Sequence, residues 1–284
     1  MSEKLRKWVE VGPDARQREL RQAVHTILVA MSNFHQAGLE VVMKGGILLA
    51  VEYAGDRYTK DVDFSTASTV AEIPPDQFAE KLDAELAGAV ERLEYGLDCR
   101  IQSYELRPPG EDKTWPTLKL RVGYARLTDQ RQHAKLMGSG VSAPVDVDIS
   151  YSEIITGAEV IDIGDGLEVQ ASTLADLVAE KYRAMIQQPL RKRYRRQDAY
   201  DLYCLLESRP AELSSLREVI LEALQRKAEG RGVIVGRESL RDPEVERRSK
   251  EEYPQLANEI LRPLPEFDEV YGSVRRFYES LPWE

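Results

Sequence analysis

Two cysteines in 284 residues, Cys99 and Cys204, leave no basis for a disulfide framework, and the three histidines (His25, His35, His133) form no spaced set with them that chelates zinc. Long apolar runs are missing as well. No stretch approaches the roughly 20 apolar residues of a membrane span, and the opening MSEKLRKWVEVGPDARQREL has no apolar signal core. The expectation is a cytoplasmic protein with no membrane partner. Positive charge is also scarce: 39 Lys and Arg against 49 Asp and Glu leave a net charge of -10. That excludes a surface binding nucleic acid all over, because phosphate neutralisation requires clustered cations. One local cluster exists, the run RKRYRR with Arg191, Lys192, Arg193, Arg195 and Arg196. Internal repeats and low-complexity segments are absent.

What is present reads as globular. Hydrophobic residues make up 42% and charged residues 31%, and the length suffices for one large domain or two modest ones. Residues 14 to 37 set Leu20, Val24, Ile27, Leu28, Met31 and Phe34 at helical spacing before Gly38, which predicts an amphipathic helix. LEVVMKGG reads as a short strand ending in two glycines, and ILLAVEYAG as an apolar helix closed by Gly55. DVDFS, residues 61 to 65, alternates carboxylates with Val62 and Phe64, so a strand there sends both aspartates to one face. A helix is predicted at about 76 to 93 behind Pro74 and Pro75, then a hairpin from 99 to 106 and 118 to 126 joined by the turn-rich PPGEDKTWP. Residues 128 to 142 are polar and predict a mobile loop. VDVDIS, residues 145 to 150, is a second acidic strand with Asp146 and Asp148 on one face. From Thr173 the pattern turns helical (TLADLVAEKYRAM, QDAYDLYCLLES, SSLREVILEALQRKAEG), with a proline-punctuated tail after Pro243. The fold class is therefore α+β, with a mixed-sheet domain over residues 1 to 168 and a helical domain over 169 to 284 closing a cleft.

Two aspartates two apart on a strand suit phosphoryl chemistry, which needs divalent metal to neutralise developing charge, and hard cations choose carboxylate oxygens. Asp61 and Asp63 meet that need, and the second acidic strand offers a third ligand, Asp148 in preference to Asp146. An isolated D-x-D is more often a solvated sheet face; two such strands shift the balance. Lys44-Gly45-Gly46, between a strand and a helix and about fifteen residues ahead of Asp61, lets backbone approach phosphate closely. In the intervening loop, Arg57 and Thr59 either contact phosphate or are simply solvated. Lys181 interrupts the apolar stripe Leu174, Leu177, Val178, Tyr182, Met185; it either snorkels to solvent or faces a cleft as a point charge for triphosphate. Asp198 and Asp201 share a helix face, Asp201 being the better placed for a specific partner, either Lys181 or a nearby arginine.

Together KGGILLAVEYAGDRYTKDVDFS, VDVDIS, AEKYRAM and RRQDAYDLYCLL, across residues 40 to 207, resemble the nucleotidyltransferase toxins of AbiEii type from abortive-infection and type IV toxin-antitoxin systems. The resemblance implies a nucleotidyltransferase-fold sheet with flanking helices. It implies a nucleoside triphosphate on Lys44, Gly45 and Gly46, Mg²⁺ or Mn²⁺ on Asp61 and Asp63, and Lys181 and Asp201 completing the active site. It further implies transfer of a nucleoside monophosphate to RNA, in studied branches the tRNA 3′ end, basic residues after the lysine helix as RNA contacts, and a cognate antitoxin. Other acceptors, a small molecule or a protein side chain, use the same machinery, and a triphosphate-binding module without turnover is the non-enzymatic alternative.

Overall fold

In the amino-terminal half, apolar residues at every second position of several strands give one sheet a face to bury. The computed structural model describes residues 4–53, 55–109, 115–138 and 144–284, and these form two compact units that interleave along the sequence. The first comprises Met1–Glu52, Thr59–Glu153 and Glu159–Ala171; the second comprises Tyr53–Tyr58, Ile154–Ala158 and Ser172–Glu284.

The first unit contains, in chain order, α1 (Lys4–Glu10), α2 (Ala15–Gln36), β1 (Val42–Lys44), α3 (Gly45–Glu52), β2 (Asp61–Ser65), α4 (Pro75–Leu93), β3 (Leu97–Arg107), β4 (Thr117–Arg126), α5 (Gln130–Gly138), β5 (Val145–Ser150), β6 (Ala158–Gly164) and β7 (Leu167–Ser172). All seven strands join one mixed sheet in the order β3-β4-β5-β2-β1-β7-β6. β2 and β5 lie side by side in parallel at its centre, flanked by β1 and β4 running antiparallel to them. Val62, Phe64, Leu118, Leu120, Val122, Val147 and Ile149 form the core of the unit, each at most 1% exposed. α2 and α4 pack on each other and on β3. Asp14 caps α2 by accepting from the Gln17 amide, and Gly38 takes the left-handed turn beyond its end, with φ of 75°.

Three expected features differ. The helix after the glycines begins at Gly45 and stops at Glu52, short of Gly55. Residues 130 to 138 of the expected loop are helical, docked through buried Leu136 and a 2.9 Å contact from His133 Nε2 to the buried Asp98 carboxylate, while residues 139 to 142 of that loop lie outside the described residues. Residues 110 to 114 of the expected turn lie outside them too. Finally, β6 and β7 occupy the stretch expected to lead into the boundary, and β7 pairs in parallel with β1.

The second unit is helical: α6 (Leu174–Ile186), α7 (Gln188–Arg191), α8 (Arg196–Ser208), α9 (Pro210–Ser215), α10 (Arg217–Gly230), α11 (Pro243–Lys250) and α12 (Phe267–Glu279). Thr173 caps α6 by accepting from the Asp176 amide. The proline-punctuated tail ends in α12, whose buried stripe Phe267, Val270, Tyr271, Val274 and Tyr278 explains its helicity. No helix among the described residues is long and apolar enough to cross a membrane.

Candidate active site

The strand period sends Asp61 and Asp63 away from the core face that holds Val62 and Phe64, and the same alternation directs Asp146 and Asp148. The parallel register then sets Asp61 opposite Asp146 and Asp63 opposite Asp148. Four carboxylates thus share one face of two adjacent strands, an arrangement costly unless cations compensate it. β4 supplies two: Lys119 is the register partner of Asp148 and Arg121 of Asp146. Lys119 Nζ lies 2.6 Å from Asp148 Oδ2, and Arg121 Nε lies 3.6 Å from Asp146 Oδ1. On the other flank, β1 pairs Lys44 with Asp63, and the Lys44 ammonium donates to Ser150 Oγ at 3.3 Å and lies 4.0 Å from Glu153. Thr59 donates to the Asp61 carbonyl at 3.2 Å, and the Lys60 amide donates to Asp61 Oδ1 at 3.2 Å.

Gly45 opens α3 with φ of 71°, in the left-handed region, and a Cβ built there would collide with Asp63 Oδ2. Glycine is required on both counts, which ties the turn to the carboxylate behind it. Gly46 follows as the second residue of α3. The carboxylate oxygens of this face are of the kind that hard divalent cations prefer, and Asp61 and Asp146 are exposed while Asp63 and Asp148 are half-buried, so the donor chemistry fits Mg²⁺ or Mn²⁺. Among the described residues, however, no three Asp, Glu, His or Cys side chains converge as a metal-holding group. The oxygen of Asp148 on that face is engaged by Lys119.

Within the second unit, three buried charges, Lys181, Asp198 and Asp201, meet the half-buried Arg57. Lys181 donates to Asp198 Oδ1 at 2.9 Å and Asp201 Oδ2 at 2.8 Å, while Arg57 meets Asp201 through Nε at 3.0 Å and Nη2 at 3.1 Å. Lys181 is 6% exposed, so it does not snorkel to solvent. Burial alone would push the Asp201 carboxyl up, but Arg57 and Lys181 hold it at about 2. Burial likewise disfavours charge on Lys181, and Asp198 and Asp201 outweigh it, raising its pKa. Asp198 Oδ2 is buried with no hydrogen-bond partner among the described residues.

The segment Tyr53–Tyr58 is fastened in this unit by more than Arg57. Arg57 bridges Ile260 through its backbone, the Tyr58 amide donates to the Glu259 carbonyl at 2.6 Å, and Asp56 accepts from Tyr200 Oη at 3.0 Å beside Arg262 at 3.1 Å. The basic run divides. Arg196 is taken by Glu252 and Glu259, both at 3.0 Å, and Arg195 lies 3.7 Å from Asp198. Arg191, Lys192 and Arg193 are exposed and have no carboxylate partner among the described residues.

Lys119 and Arg121 escaped notice in the sequence because a cation at every second position of a strand looks like any solvated face; their register opposite Asp148 and Asp146 becomes visible only once β4 and β5 are paired.

The family model described as "Nucleotidyl transferase AbiEii toxin, Type IV TA system" matches residues 26–273. Solved structures that resemble the chain include MenT4, a nucleotidyltransferase toxin from Mycobacterium tuberculosis, with a TM-score of 0.54 at 15% identity over 96% of this chain and 87% of that one. JHP933 from Helicobacter pylori is similar with a TM-score of 0.52 at 12% identity, over 92% of this chain and 91% of that one. Among curated proteins none matches the chain. Likeness at such identities is one of fold.

Proposed function

Since the chain belongs to the AbiEii nucleotidyltransferase toxin family of type IV toxin-antitoxin systems and is a nucleotidyltransferase, we propose that it moves a nucleoside monophosphate from a triphosphate to RNA, at the tRNA 3′ end, in a metal-dependent reaction. The observation that carries this reading is the carboxylate face of β2 and β5, with the Gly45 turn set directly against Asp63.

In this reading Asp61 and Asp63 hold Mg²⁺ or Mn²⁺, with Asp148 as third ligand and Asp146 beside it. Held there, such a cation would supply charge neutralisation for the phosphates. The first amides of α3, at Gly45 and Gly46, receive triphosphate oxygens, and Lys44 and Thr59 lie at the two ends of the same stretch. The acceptor hydroxyl gives its proton to a carboxylate of the face as its oxygen bonds to the α-phosphorus, and the bond to the β-phosphate breaks to release pyrophosphate. Lys181 and Asp201 belong to the machinery by the family pattern, with Arg57 and Asp198 completing their charge cluster. Arg191, Lys192 and Arg193 serve as RNA contacts, since they carry charge that no carboxylate among the described residues neutralises, whereas Arg195 and Arg196 are partly spent within the fold. An antitoxin is the protein partner and the cytoplasm the compartment.

Incubation with labelled nucleoside triphosphates, Mg²⁺ and total RNA tests the reading. Label should enter RNA, be lost on chelation and return with metal, and Asp63→Asn should reduce incorporation by at least about 100-fold. Label entering protein or a small molecule instead would overturn the RNA acceptor, and full activity in Asp63→Asn would overturn the site.

A further inference from the structure

The carboxylate face contains a cation of its own, and its position raises a question that the proposed metal site leaves open: what balances Asp148 when no divalent ion is bound. Asp63 and Asp148 are direct register partners on parallel strands, which lie about 4.8 Å apart, so their charges repel across a short gap. Lys119 projects from β4 on the far side of Asp148 and contacts Oδ2 at 2.6 Å. Its side chain is 46% exposed, on a flexible four-carbon stem, and so free to move. It also has somewhere to go. On the other side of β4 its register partner is Glu105, on edge strand β3, exposed and bonded to Arg107 at 2.8 Å.

We propose that Lys119 is an internal counter-ion that occupies Asp148 in the metal-free protein and yields it to the incoming divalent cation, so that this lysine sets the metal affinity of the site. The inference rests on the reading of Asp61 and Asp63 as metal ligands. With Asp148 engaged in holding a divalent ion, Lys119 would lose its attraction there, and its ammonium would turn toward Glu105 and solvent. Asp148 is then a conditional ligand, won by competition. Arg121 occupies the equivalent position opposite Asp146, but at 3.6 Å between two side chains that are each more than half exposed its hold is looser.

Two measurements test this on the full-length chain. Binding of Mn²⁺ alone, followed through the resonance of the free ion, should tighten by roughly two- to fivefold in Lys119→Gln, the range expected for loss of one exposed ion-pair competitor, while Lys119→Arg stays near the original affinity. Amine acylation read by mass spectrometry should show Lys119 becoming more reactive when Mn²⁺ is added. Asp63→Asn separates this inference from the reading beneath it. Should the unaltered protein bind Mn²⁺ no better than Asp63→Asn, the metal site and the latch fall together. Should binding depend on Asp63 while Lys119→Gln leaves affinity unchanged or weakened, or Lys119 reactivity stay independent of metal, the latch alone is overturned. Thermal melting of each variant confirms folding, which the exposure of Lys119 favours.

Discussion

Asp201 concentrates the energetic tension of the second unit, since it is buried, charged and shared by two cations. Its folded pKa of about 2 lies below the ordinary value of 3.8, so ionisation stabilises the folded state. For a depressed carboxylate the sign is fixed: the contribution is complete above about pH 4 and is lost as pH falls toward 2, on the order of 2 kcal/mol. Asp201→Asn should therefore lower stability at neutral pH by about 2–4 kcal/mol, because the half-buried Arg57 loses its partner charge and the buried Lys181 is left with Asp198 alone. It should also flatten the acid limb, measurable as the urea midpoint at pH 5, 4 and 3. An acid limb as steep as that of the unaltered protein would assign the acid sensitivity to other carboxylates. Side-chain pattern alone left Lys181 undecided between solvent and a polar partner, and Asp201 between Lys181 and an arginine. Both cations reach Asp201, and Arg57 comes from 144 positions away, a distance no helical or strand period can reveal.

At the scale of elements, β2 and β5 were legible because Val62, Phe64, Val147 and Ile149 alternate with carboxylates in runs too short for a helix. The helix α5 was not. Its nine residues bury only Leu136, so its composition is that of a polar loop, and what makes it helical is docking on β4 and β3 together with the His133 contact to Asp98. Strands β6 and β7 were hidden for a different reason. Asp162, Gly164, Asp165 and Gly166 are turn residues, and in the structure they form the end of β6 and the tight connection to β7, with positive φ at three of them. A helix held by one apolar anchor is locally weak. Leu136→Ala should release α5 without unfolding the sheet: hydrogen exchange across residues 130 to 138 should rise at least about tenfold while the melting temperature moves by no more than about 2 °C. A cooperative loss of several degrees would instead make α5 part of the core.

For the molecule as a whole, a net charge of -10 means that any RNA affinity has to come from a restricted patch. With Arg191, Lys192 and Arg193 as the members of the basic run that have no carboxylate partner among the described residues, replacing all three by Gln should weaken RNA binding. It should also reduce the slope of log affinity against log salt by about 2, at roughly 0.7 per phosphate contact on a single strand. An unchanged slope would send the RNA contact elsewhere. Whole-molecule order also has a temporal side. Translation runs at about 5–20 residues per second, so Arg57 leaves the ribosome roughly 7–30 s ahead of Asp201, the residue that neutralises it 144 positions later. Until α8 and the chain beyond it have been synthesised, the nascent chain contains the glycine turn and both acidic strands, but the segment joining α3 to β2 lacks Tyr200, Asp201 and Glu259, which fasten it in the finished fold. A message cut before α8 would therefore yield a product with the entire carboxylate face and an arginine that has lost its binding place, and quality-control proteases would meet that segment as an open loop.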